Sequence, residues 1–178
     1  VAGEDQVFID VPFLEQPLIF ANSVRSAFKP GGAVGGLLGG QHFDESTSEG
    51  IAEIEQVGDS VLIRLTRADS FLSGQAKLSG NFESTLLRVG NALGKTRGII
   101  RIEGHTDNQM VGFSRTFRSN FDLSAARAAS VADFLVGETS IQNGRLTISG
   151  LADSKPIGDN STARGRAKNR RIEIYLDE

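Results

Sequence analysis

Asp107 and Arg127 carry the opposite charges from which a grip on a small ligand can be built. They close one stretch, IIRIEGHTDNQMVGFSRTFRSNFDLSAAR, running from Ile99 to Arg127. The stretch reads as a buried strand (Ile99, Ile100, Ile102), a Gly-His-Thr-Asp turn, a polar loop, and a helix entered through Leu123-Ser124. With Ser124 as N-cap, Arg127 falls three residues into that helix. A cation is mismatched there, because free N–H groups and the helix dipole make this end positive; the cost is a few tenths to ~1 kcal/mol. A docked carboxylate would remove the mismatch by taking the guanidinium fork and the helix N–H groups together. Asp107 would then hold an ammonium group, and the pair becomes a receptor for a zwitterion such as an amino-acid head group. The spacing fits a simpler arrangement equally well, in which Asp107 and Arg127 pair with each other for ~0–1 kcal/mol.

The elements that must position these two residues are marked by apolar periodicity. IAEIEQVGDSVLIRL reads as two strands about Gly58-Asp59, with Val61, Ile63 and Leu65 alternating on one face. Leu78, Phe82, Leu86, Val89 and Leu93 recur at helical spacing and form one stripe, ended by Gly94 or Gly98. The helix after Ser124 presents Ala128, Val131, Ala132 and Leu135 and closes near Gly137. Leu146-Thr147-Ile148 follows as a strand, Thr162 to Lys168 as a short helix, and Ile172, Ile174 and Leu176 alternate in a terminal strand. Strands interleaved with amphipathic helices predict a two-layer α/β sandwich, helices on one sheet face, with parts of the sheet parallel.

Before Ile51 the chain has a different character. Leu18-Ile19-Phe20, Val24, Ala27 and Phe28 suggest a short amphipathic helix after Pro17, stopped by Pro30-Gly31-Gly32. GGAVGGLLGG follows, six glycines in ten residues and most simply a hinge. The expected organisation is an extension over residues 1–50 and a folded domain over 51–178.

Composition narrows the function classes. At 178 residues and 39% hydrophobic content the chain can bury one good core. A formal net charge of −3 argues against a global nucleic-acid or membrane-surface binder. The absence of cysteine excludes disulfides, thiolate metal sites and cysteine nucleophiles. No run of residues reaches the ~18–20 apolar positions of a membrane span. The start at Val1 is expected to mark a processed or excised soluble portion.

Four motifs in order, GHTDN (Gly104 to Asn108), SNFDLSAARAASV (Ser119 to Val131), ISGLADSKPIGDN (Ile148 to Asn160) and GRAKNRRIEI (Gly165 to Ile174), resemble the OmpA-like peptidoglycan-binding domain. Within that family the likeness is greatest to the periplasmic region of the flagellar stator subunits MotB and PomB. SNFDLS resembles a stator motif, with Phe121 where Trp is often found, and the segment before the domain resembles a stator linker and plug in character only. The family resemblance implies an OmpA-like βαβαββ domain with a mixed sheet, and non-covalent binding of the peptidoglycan stem peptide, chiefly its diaminopimelate. Asp107 resembles the family's acid for the amino group and Arg127 its carboxylate-binding arginine. Thr106, Asn108 and Asn120 lie in matching motifs as hydrogen-bonding wall residues, and Arg170 is the expected second cation. The resemblance further implies a homodimer in the bacterial periplasm, tethered to the inner membrane. A MotA/PomA-like channel subunit would be reached through a membrane helix outside the sequence, and the 1–50 segment would link anchoring to channel gating. The competing implication is an OmpA-like wall anchor of an outer-membrane or secretion-system protein with no motor.

Other residues support blander readings. His105 has no local ligand pattern and is expected to tie its turn to backbone or carboxylate; neither a metal nor a cofactor is expected. Arg164, Arg166, Lys168, Arg170 and Arg171 place five cations in eight residues, but without the aromatic neighbours of a nucleic-acid patch. No nucleophile with a base and no supported carboxylate pair points to an enzyme.

Overall fold

A computed structural model of the protein describes residues 52–177 except 67–69, 72–73 and 112–115. The expected 1–50 extension, with its amphipathic segment and glycine hinge, lies outside the described residues.

The chain runs β1 (Ala52–Val57), β2 (Ser60–Leu65), α1 (Gly80–Leu93), β3 (Ile99–Gly104), α2 (Asn120–Glu138), β4 (Leu146–Gly150), α3 (Ala163–Asn169) and β5 (Ile172–Asp177). The strands form one mixed sheet in the order β1-β2-β5-β3-β4. Only β3 and β4 pair in parallel, and the remaining neighbours are antiparallel. The expected βαβαββ string is β2-α1-β3-α2-β4-β5, with β1 added in front and the short α3 interposed.

The core lies where the two periodicities meet. Val61, Ile63 and Leu65 of β2, Ile100 and Ile102 of β3, and Ile172, Ile174 and Leu176 of β5 share one face of the sheet. Phe82, Leu86, Val89 and Leu93 of α1 and Ala128, Val131, Ala132 and Leu135 of α2 pack onto them. Burying each large apolar side chain contributes ~1.5–3 kcal/mol, enough to fix which face the helices cover. Ser79 caps α1 by accepting from Phe82 N, and Gly94 closes it.

The start of α2 differs from expectation. Its N-cap is Ser119, whose hydroxyl accepts from Asp122 N, so the helix begins five residues before Leu123-Ser124 would place it. Asp122 supplies the negative charge that the positive helix end favours. Ser124 is a buried interior residue, its hydroxyl bridging Phe121 O at 3.1 Å and Ala152 N at 3.1 Å.

Close helix–strand contact sets where α2 sits. Gly104 and Gly150 are register partners in β3 and β4. A Cβ at Gly104 would run into the Ser124 carbonyl, and one at Gly150 into the backbone of Ala125. Glycine at these two places lets α2 lie on the strand ends, which brings Arg127 near Asp107.

Candidate functional site

The antiparallel register pairs Gly104 at the end of β3 with Ile172 at the start of β5. The residues just beyond, 105–107 on one side and 170–171 on the other, therefore meet at one end of the sheet. His105 N donates to Arg171 O at 3.0 Å, and Thr106 N donates to Ala152 O at 2.9 Å, stitching three segments together. They wall a cleft of about 490 Å³.

Thr106, Asp107, Asn120, Arg127 and Arg170 all line this cleft. Asn108 does not: it is exposed, and its backbone N–H donates to Asn160 Oδ1 at 3.4 Å. Asn120 holds the loop in shape. Its Nδ2 donates to Asp107 O at 3.3 Å and Gln109 O at 3.0 Å, while its Oδ1 accepts from Val111 N at 3.2 Å. The Thr106 hydroxyl is buried at the cleft wall with no hydrogen-bond partner among the described residues.

Two parts of the sequence argument are corrected here. Arg127 is eight residues beyond the cap Ser119, past the first helical turns, so the helix-terminus mismatch does not apply to it. Nor do Asp107 and Arg127 form a private pair: Asp107 Oδ2 accepts from Arg170 Nη1 at 2.6 Å. Asp107 Oδ1 accepts from Gln109 N at 3.0 Å.

What makes Arg127 unusual is burial. It is 9% exposed, with its Nε donating to Gln75 O at 3.0 Å and its guanidinium stacked on Phe71 at 4.8 Å. It has no carboxylate partner among the described residues. Burial, then the nearby charge of Arg170, bring its pKa down to about 10, while Asp107 acts in the opposite direction. Two cations thus share one carboxylate, an arrangement that favours an additional negative group.

Behind the cleft lies an ionic cluster on the sheet face away from the helices. Glu103, His105 and Glu173 offer ligand atoms within 4.8 Å of one another, the spacing of a metal site. The carboxylates are already matched by cations. Glu173 Oε1 accepts from Arg171 Nε at 2.9 Å and Arg64 Nε at 3.0 Å, and Glu103 Oε1 accepts from Arg101 Nη1 at 2.6 Å. Lys155 Nζ stands 3.6 Å from Glu103 Oε2. Four cations around two carboxylates leave a divalent ion electrostatically unwelcome. His105 Nε2 lies 3.3 Å from Glu173 Oε2, but neither ring nitrogen makes a well-formed hydrogen bond among the described residues, so the expected tie is a close approach only.

Sequence reasoning missed Phe71, Gln75, Gln109 and the clamp formed by Asn160 and Asn169. Asn169 is fully buried, accepting from Ile157 N at 2.8 Å and Gly158 N at 2.7 Å while donating to Asn160 Oδ1 at 2.8 Å. Its position in GRAKNRRIEI was the available signal; a backbone carbonyl such as that of Gln75 carries none.

A helix-backed mixed sheet with a buried arginine and an acid–arginine pair at one end defines a small α/β domain with a charged cleft. The chain belongs to the OmpA family, whose model matches residues 70–170. It is 32% identical to motility protein B of Bacillus subtilis over 126 residues, covering 70% of this chain and 48% of that protein. Among solved structures it resembles the cell wall anchor of the T6SS from Pseudomonas aeruginosa (36% identity, TM-score 0.66, covering 71% of this chain and 87% of that one). A putative MotB-like protein from Desulfovibrio vulgaris shares the fold (23% identity, TM-score 0.77, covering 93% and 96%). The chain spans about half the length of curated relatives it matches.

Proposed function

We propose that this domain binds peptidoglycan non-covalently through its stem peptide and thereby anchors a flagellar stator to the cell wall. Asp107 receives the amino group of diaminopimelate, Arg127 and Arg170 receive its carboxylate, and Thr106 and Asn120, which line the same cleft, supply polar contacts. The observation that carries this reading is Arg127, a buried cation without a carboxylate partner among the described residues, facing a cleft that also contains Asp107. A bound carboxylate completes that site with charge-assisted hydrogen bonds.

The motor role is supported by similarity to motility protein B. In this reading the domain is the periplasmic portion of an inner-membrane protein, works as a homodimer, and serves a MotA/PomA-like channel subunit, with residues 1–50 as linker. It carries out no covalent chemistry. A second reading, a wall anchor without a motor, is favoured by the 36% identity to the T6SS cell wall anchor.

Pull-down with purified sacculi tests the binding. Removing one charge-assisted partner, as in Asp107→Ala or Arg127→Ala, should cost ~1.5–3 kcal/mol, about ten- to a hundredfold in affinity. Undiminished binding by the folded double variant would refute the site. Motility complementation separates the two readings, since a stator component restores swimming and a motor-free anchor does not; soluble fragments released from sacculi would instead mark an enzyme.

A further inference from the structure

Asp107 and Arg170 are unequal partners. Their side chains are 8% and 38% exposed respectively, so the carboxylate is fixed in the wall while the guanidinium reaches it from the rim. Asp107 Oδ1 is committed to its own loop through Gln109 N. Oδ2 is therefore the oxygen available to an arriving ammonium, and Arg170 Nη1 already occupies it at 2.6 Å. This is the only hydrogen bond made by the Arg170 side chain among the described residues, although its backbone is held as the C-cap of α3 through Arg166 O. The long side chain can leave Asp107 without disturbing the fold.

We propose that Arg170 is a placeholder for the ligand's ammonium group, and that binding exchanges the ion pairs. The ammonium takes Asp107 Oδ2, while Arg170 swings away and joins Arg127 on the ligand's carboxylate. This deepens the peptidoglycan reading and rests on it. Asp107 and Arg170 each exchange one partner for another, and Arg127 gains the carboxylate it lacks, which matters in a cleft where an unpaired buried charge is costly. The exchange also sets specificity. A ligand with only an amine would strand Arg170 beside a second cation, and one with only a carboxylate could not evict Arg170 from Asp107. Both groups must arrive together, as they do on the one carbon of an amino-acid head group.

The Gln109 amide, bonded to Asp107, is a local NMR reporter for titrations with three probes: a soluble tripeptide stem fragment ending in diaminopimelate, cadaverine and glutarate. Wild-type protein should prefer the fragment strongly to either probe, each of which carries charge of one sign only. Arg170→Gln should weaken the fragment about tenfold, the loss of one charge-assisted contact, yet tighten cadaverine by exposing Asp107 Oδ2. Lys168→Gln, which removes a neighbouring charge away from the pair, should not tighten cadaverine. In a complex with the fragment, Arg170 Nη1 and Asp107 Oδ2 should stand beyond ~3.5 Å, outside hydrogen-bond range. Fragment binding with that contact intact, or an Arg170→Gln variant that fails to tighten cadaverine, would overturn the exchange alone. No binding of the fragment to the wild-type protein would overturn the ligand assignment as well.

Discussion

The guanidinium carbon of Arg127 stands 4.8 Å from the centroid of the Phe71 ring, and that ring meets Phe82 of α1 edge-on at 5.6 Å. The cation in the cleft is thus oriented by a segment more than fifty residues away in sequence, through the ring and through the Gln75 carbonyl. A cation over an aromatic face contributes ~0.5–2 kcal/mol, more as water is excluded. Holding the guanidinium ready lowers the ordering cost when a carboxylate arrives.

Phe71→Leu keeps an apolar filler while removing the π face. The domain should stay folded with a stability loss below ~1.5 kcal/mol, and affinity for a stem fragment should fall about three- to tenfold. Thermal melts paired with a fragment titration check both numbers. If affinity holds while the melt shifts, the ring packs the core and does not set the arginine.

Asn120 satisfies three backbone groups of the loop carrying Asp107. Replacing it with Ala should cost ~1–2 kcal/mol and free the loop locally. Hydrogen exchange at Gln109 and Val111 should accelerate while amides of β3 keep their protection. Equal acceleration across the sheet would instead indicate a global role.

The fold was legible because burial is written in spacing: the Leu78–Leu93 stripe and the Ile172, Ile174, Leu176 alternation each assign a face. The start of α2 was misread because Leu123-Ser124 stands before an apolar run. Ser119 and Asp122, a capping residue and an acid three positions on, offered the better signal. Five of the six expected site residues line one cleft, since their motifs mark strand ends and helix starts that the sheet gathers together. The Asp107–Arg170 pair spans 63 positions. It follows from β5 inserting between β2 and β3, a tertiary fact that no local pattern encodes.

Acid should act through Glu173. Burial alone would raise its pKa, but His105 at 3.3 Å and the hydrogen-bonded guanidinium groups of Arg171 and Arg64 win and hold it well below the usual carboxylate value of 4.5. A carboxylate depressed in the folded state contributes stability that is full above its unfolded pKa and is lost as pH falls through the folded one. Urea unfolding should therefore show stability declining below about pH 4.5. Glu173→Gln should be less stable at neutral pH, because it strands buried guanidinium groups, yet its stability should fall less steeply in acid. Parallel pH profiles for the two proteins would assign the acid sensitivity elsewhere.

Two glycines in α2 and its supports should respond oppositely to alanine. At Gly137 nothing lies within 4 Å of a new Cβ, so Gly137→Ala should stabilise by ~0.5–1 kcal/mol through helix propensity and a more restricted unfolded chain. At Gly104 the new methyl collides with the Ser124 backbone carbonyl, which cannot rotate aside as a side chain would. Gly104→Ala should cost ~1–3 kcal/mol, the range for overpacking. Relief requires α2 to lift from β3, carrying Asn120 and Arg127 away from Asp107. Ligand affinity should consequently drop even under conditions where the variant is fully folded, whereas Gly137→Ala should bind like the wild type. Urea denaturation and fragment titration on both variants decide the matter: a Gly104→Ala protein of reduced stability but normal affinity would show that the seating of α2 does not govern the cleft.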